Sequence, residues 1–146
     1  MTRAATVLAF DFGLKRIGIA SGDTLTKSAA PRSAANVSPA GPDWQLIERE
    51  VRSLSPAMLV VGAPYNADGS AGAMLAAAQR FAAELERRFS LPVHMVDERF
   101  SSLEAHAALK AQRASGQRRR RLDRGAIDSA AAAVILVRYL EGEGKD

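Results

Sequence analysis

The chain has 146 residues, 47% hydrophobic and 25% charged, with a net charge of +4 and no cysteine. Those figures fit one compact domain of ordinary globular composition and exclude disulfides, thiolate chemistry and thiolate zinc sites. With only His94 and His106 as imidazoles, any metal must be held mainly by oxygen, which favours Mg²⁺ or Mn²⁺. The longest apolar stretch, Ala130 to Val137, falls far short of the roughly 20 residues that cross a bilayer. The N-terminus shows no basic region leading into an extended apolar core, so a cytoplasmic protein is expected.

Thr6 to Phe12 and Arg16 to Gly22 read as strands rich in apolar residues, joined by the short Gly13-Leu14-Lys15 connection of a hairpin. Lys27 to Pro42 holds three prolines and many small residues, which predicts one short strand and then a loop. Asp43 can cap a helix whose apolar stripe is Trp44, Ile47, Val51 and Leu54, with Pro56 marking its end. Ala57 to Val61 is a buried-type strand. The loop Tyr65 to Ser70 follows, with Asp68 or Ser70 as the favoured cap of the next helix. That helix carries Met74, Ala78, Phe81, Leu85 and Phe89 on one stripe.

Val93 to Val96 is a further short strand, broken by Asp97-Glu98-Arg99. Ser101 and Glu104 have capping-box spacing for another helix, and the last helix is expected from about Gly125 to Leu140. Ala114 to Arg124 is polar and strongly charged, the composition of a mobile loop. A strand meander followed by alternating strands and helices makes an α/β domain with a mixed sheet and helices on its faces.

Asp11 stands out because it follows Val7-Leu8-Ala9-Phe10 and precedes Phe12. A carboxylate in apolar surroundings costs several kcal/mol unless it is paired, protonated or bound to a cation. Glu98 lies at a strand end, and Asp128 precedes Ala131, Ala132, Ile135 and Tyr139 at helical offsets that share one stripe. Three acids brought together would repel, and a divalent cation removes that repulsion while using their oxygens as ligands. Each acid also has a structural reading: Asp11 paired with Lys15 or Arg16, Asp128 favoured by a helix dipole, Glu98 paired with Arg99. Asp97 and Asp123 are reserve candidates, Asp123 reading better as a helix cap.

Several residues are candidate contacts to a polyanionic substrate. They are Lys15, Arg16, Asn66 in the strand-to-helix loop, Arg99, and the run Arg118, Arg119, Arg120 and Arg121, whose guanidinium groups suit phosphates. For the arginine run a solvated loop is the competing reading, and His106 is assigned no chemistry. No aromatic stacking platform for single-stranded nucleic acid is visible.

Four ordered motifs then carry a resemblance. They are Ala9-Phe10-Asp11-Phe12-Gly13 with Ile17-Gly18-Ile19-Ala20; Val61-Gly62-Ala63-Pro64-Tyr65-Asn66-Ala67-Asp68-Gly69; Asp97-Glu98-Arg99-Phe100-Ser101-Ser102; and Asp128-Ser129-Ala130-Ala131 before Ile135-Leu136. In these the chain resembles the YqgF family, also called RuvX, of the RNase H-like nuclease superfamily. Ala63, Ala67 and Phe100-Ser101-Ser102 depart from the family's common Leu, Met and Leu-Ser-Thr, which touches the wall of the substrate groove and removes no acid.

The resemblance implies a single RNase H-like domain over residues 1–146, with a five-stranded mixed sheet flanked by helices. It carries over Asp11, Glu98 and Asp128 as catalytic acids and ligands of Mg²⁺ or Mn²⁺, Asp11 being the one able to bridge two ions. The implied activity is phosphodiester hydrolysis at the 5′ end of pre-16S ribosomal RNA, in ribosome biogenesis and with pre-ribosomal particles as partners. Cutting of a four-way DNA junction is the alternative substrate reading. A non-catalytic RNA-binding assembly factor and an actin-like phosphotransferase are the alternatives of other classes, the first opposed by the three acids and the second by the short chain.

Overall fold

The computed structural model describes residues 5–63, 72–97 and 124–142. In chain order the strands are β1 (Thr6–Asp11), β2 (Arg16–Asp23), β3 (Ser28–Ser38), β4 (Gly41–Pro42), β5 (Met58–Ala63) and β6 (Val93–Asp97). The helices are α1 (Trp44–Leu54), α2 (Ala73–Phe89) and α3 (Arg124–Gly142). The strands form one sheet in the order β4-β3-β2-β1-β5-β6. β1, β5 and β6 are parallel, whereas β2 and β3 run antiparallel to their neighbours. No described helix is long and apolar enough to cross a membrane.

The sheet therefore has six strands where five were expected. The addition is β4, two residues that pair with Val37 and Ser38; a Gly-Pro dipeptide carries no hydrophobic period and so leaves no strand signal. The short third strand is instead 11 residues long and mostly exposed or half-buried. It lies beyond β2 and contains Pro31 opposite Ala20, which tolerates the proline because β3 has a ladder partner on only one side along most of its length.

The central strand β1 is buried on both faces, and its period of two divides the core. Leu8 and Phe10 pack with Ile47 and Val51 of α1 and Ala78, Phe81 and Leu85 of α2. Val7 and Ala9 pack on the opposite side with Ala132, Ile135, Leu136 and Leu140 of α3. Asp43 caps α1 as expected, its carboxylate accepting from the Leu46 amide at 3.2 Å. α2 is capped at Gly72 without a side-chain bond, so neither Asp68 nor Ser70 is its cap. Leu75, not Met74, is the buried residue of its first turn.

Phe81 anchors the end of β1. Its ring centroid lies 5.6 Å from Phe10, 5.3 Å from Phe12 and 5.5 Å from Trp44. The two neighbours of Asp11 are thus fixed on the α1/α2 side. Replacing Phe81, which is 4% exposed, by Ala is expected to cost about 3–5 kcal/mol of stability, measured by urea denaturation. A loss under about 1 kcal/mol would remove it as the anchor.

Candidate active site

Asp11 is the last residue of β1, and strand alternation puts it on the side of Val7 and Ala9, facing α3. Burial is complete from Val7 to Phe10 and relaxes to half-buried at Asp11. The costly buried charge inferred from the flanking residues is therefore a carboxylate at a strand mouth. That place, at the carboxyl end of parallel strands, is where open α/β sheets bind ligands.

Glycine stands on both sides of it. Asp11 pairs with Gly18 of β2, and the register of Phe10 with Val61 makes Gly62 its neighbour on β5. Gly62 in turn pairs with Val96 of β6. The positions directly beside Asp11 on both adjoining strands therefore carry no side chain.

Gly18 also brings in the second acid. A Cβ at Gly18 would lie 2.0 Å from the Asp128 carbonyl oxygen, and one at Gly22 would lie 2.7 Å from Leu136 Cδ2. β2 thus offers α3 the bare track Gly18, Ala20 and Gly22. Four strand residues span roughly 13 Å and the eight helical residues from Asp128 to Leu136 roughly 12 Å, so α3 runs alongside β2 in the same direction. Its N-terminal part consequently lies at the carboxyl end of β1, bringing Asp128 to the same face as Asp11.

Asp128 is not a helix-terminal acid. α3 opens at Arg124 and has no acid in its first turn, which removes the dipole reading. Its carboxylate instead accepts from Arg16, Nε to Oδ2 at 2.8 Å, with the side chains 27% and 28% exposed. Ala131, Ala132 and Ile135 are buried as expected, and half-buried Tyr139 donates to Met58 Sδ at 3.3 Å.

Among the described residues the buried polar side chain is that of Ser129, at 1% exposure. Its hydroxyl accepts from the Ile19 amide at 3.2 Å, where the β2–β3 register shifts between Ile17 and Ile19. A helix side chain thereby satisfies a backbone donor at a strand irregularity. In the sequence Ser129 stands only as a member of the Asp128-Ser129-Ala130-Ala131 motif with no role of its own, although its offsets of three, seven and eleven to Ala132, Leu136 and Leu140 place it on the buried stripe.

Of the expected site residues, the structure brings together Asp11, Asp128 and Arg16. Lys15 is exposed in the β1–β2 turn. Glu98, Asn66, Arg99 and Arg118 to Arg121 lie outside the described residues, as do His106, Asp123, the Ser101/Glu104 helix start and the charged loop up to Asp123. Asp97 closes β6 with its backbone paired to Ala63. His94 packs its ring on Tyr139, centroids 5.8 Å apart.

Among the described residues no group of three or more acids or histidines gathers. The site's contribution is two carboxylates on one face, an oxygen donor set that fits a hard divalent cation such as Mg²⁺ or Mn²⁺ and lacks the nitrogen and sulfur ligands typical of zinc. Its geometry depends on Gly18. Gly18→Ala forces α3 away from β2 and is expected to lower stability by about 1–3 kcal/mol in denaturant unfolding. An unchanged midpoint would mean that the helix does not approach this closely.

A family model described as RuvX, Holliday junction resolvase, matches residues 5–142. A relative from Cronobacter sakazakii is 41% identical over 141 residues, covering 97% of this chain and 99% of its own length. One from Escherichia coli O157:H7 is 42% identical over 138 residues, covering 94% and 97%. Both carry the name "Putative pre-16S rRNA nuclease".

Among solved structures, T. thermophilus RuvC in complex with a Holliday junction substrate matches with a TM-score of 0.54 at 14% identity, over 97% of this chain and 96% of that one. The yeast mitochondrial Holliday junction resolvase Ydc2 matches with a TM-score of 0.54 at 13% identity, over 95% and 79%. At such identities the likeness concerns the fold, and the RNase H-like α/β class fits it. With the family model spanning nearly the whole chain and relatives above 40% identity, the chain belongs to the RuvX family.

Proposed function

We propose that this chain is a divalent-metal-dependent nuclease, a single catalytic domain that hydrolyses phosphodiester bonds in the cytoplasm. The observation that supports the reading is the placement of Asp11 and Asp128 on one face of the sheet toward the carboxyl end of β1, set by the approach of the α3 backbone to Gly18. Asp11 and Asp128 would hold Mg²⁺ or Mn²⁺. Glu98 is proposed as the third ligand on the strength of the Asp97-Glu98-Arg99 motif, which comes directly after β6 in the sequence.

When bound, the ion would supply Lewis-acid stabilisation of the negative charge on the phosphoryl oxygens and the leaving oxygen. The protein's own part is placement. Phe10 and Phe12 lock the strand from behind, so Asp11 presents its oxygens from a rigid support. Asn66, Arg99, Lys15 and Arg118 to Arg121 are proposed to restrain substrate phosphates through charged or polar hydrogen bonds.

The substrate proposed is the 5′ end of pre-16S ribosomal RNA, in free or pre-ribosomal form, because the relatives that match over nearly the full length carry that name. The family model's description favours a four-way DNA junction as the second reading. Labelled pre-16S RNA and a four-way junction, each incubated with protein and Mg²⁺ or Mn²⁺, separate the two. Preferential cutting of the RNA is expected, and preferential cutting of the junction would overturn the substrate assignment.

Asp11→Asn is expected to reduce cleavage by about 10²-fold or more, the scale on which removing a developing-charge stabiliser acts. Full activity in this variant would sink the site. Replacing Arg118 to Arg121 by Ser is expected to weaken nucleic-acid binding and make the slope of log affinity against log salt less negative by up to about 3. An unchanged slope would return the run to a solvated loop.

A further inference from the structure

The Arg16–Asp128 contact joins the two halves of the site in a specific way. Arg16 is the first residue of β2 and has the parity of Gly18 and Ala20, so it faces α3. The backbone approach at Gly18 then fixes how far Asp128 stands from that strand. The guanidinium meets the carboxylate through Nε and Oδ2 at 2.8 Å, and both side chains are about three-quarters covered. Arg16 therefore neutralises the Asp128 carboxylate.

A divalent ion ligated by Asp128 would stand about 2 Å from a carboxylate oxygen, within a few ångströms of that guanidinium. Two cations so close repel with little screening, because the surroundings are partly desolvated. The carboxylate cannot serve both fully. We propose that Arg16 is the resident counter-ion of Asp128: it holds this carboxylate when no metal is bound and is exchanged for the divalent ion when one binds. Arg16 is thus a positioning residue that sets metal affinity, opposing the ion it prepares the site for. This rests on the reading of Asp11 and Asp128 as metal ligands.

Mn²⁺ binding to the full chain, measured by titration calorimetry or by loss of the free-ion electron paramagnetic signal, tests the exchange without reference to cleavage. Arg16→Gln keeps a hydrogen-bonding group and removes the charge; it is expected to tighten Mn²⁺ binding about tenfold, the scale of one partly screened charge contact. It is also expected to lower the metal-free melting temperature and enlarge the rise that Mn²⁺ produces. Arg16→Lys keeps the charge and is expected to stay within about twofold of the parent affinity.

Unchanged or weaker Mn²⁺ binding in folded Arg16→Gln would overturn the exchange while leaving the metal site standing. A lowered melting temperature with unaltered affinity would make the pair merely structural and also overturn it. If Arg16→Gln fails to fold, Arg16→Lys decides through salt: exchange requires its Mn²⁺ affinity and that of the parent chain to shift alike, and a divergence beyond about fivefold overturns the proposal. Absence of Mn²⁺ binding by the parent chain, or undiminished binding by Asp128→Asn, would overturn the ligand assignment and the exchange with it.

Discussion

The structure turns on how closely α3 lies against β2. Gly18, Ala20 and Gly22 present a nearly side-chain-free surface, and α3 answers with Ser129, Ala132 and Leu136. The contact at Gly18 is backbone against backbone, since any side chain there would occupy the space of the Asp128 carbonyl. Such an approach would normally threaten unsatisfied polar groups. Ser129 meets that demand by accepting from the Ile19 amide, and a carbon side chain of the same size would leave the donor buried without that bond. One small-residue track therefore fixes the helix height, the serine and the position of Asp128 together.

β1 supplies the other constraint. Its residues alternate between two covered faces, and the aromatic rings on either side of Asp11 both rest on Phe81. The strand end cannot rotate without breaking that cluster. Asp11 is directed toward α3 while the aromatic rings on either side of it are anchored on the α1/α2 side. Burial falling from complete at Phe10 to partial at Asp11 is what makes a charge tolerable there.

How much of this the sequence discloses depends on whether the determining force is local. The hairpin, the Asp43 cap, the α1 stripe, β5, β6 and the last helix all follow from periods and end signals within a few residues, and the structure has them. The pairing that extends β3 and creates β4 is long-range backbone bonding between segments with little apolar pattern, so it left no local trace. Asp11 and Asp128 were legible because charge beside apolar residues is locally anomalous. Ser129 was not, since a serine on a helix carries no anomaly until a strand amide 110 residues away needs an acceptor. Gly18 was read as part of a motif; its reason, the carbonyl of Asp128, belongs to a distant segment.

Both strands that flank Asp11 carry glycine beside it, and at one of them the reason is visible in the packing. On the β2 side the space left by Gly18 is filled by the α3 backbone, so the glycine there serves packing. On the β5 side Gly62 is itself buried and pairs onward with Val96 of β6. Gly18 thus lets α3 settle onto β2 and carries Asp128 to the face that Asp11 shares. Packing at Gly18 and the placement of Asp128 are therefore one constraint, and any side chain that enlarged Gly18 would displace the carboxylate and the helix together.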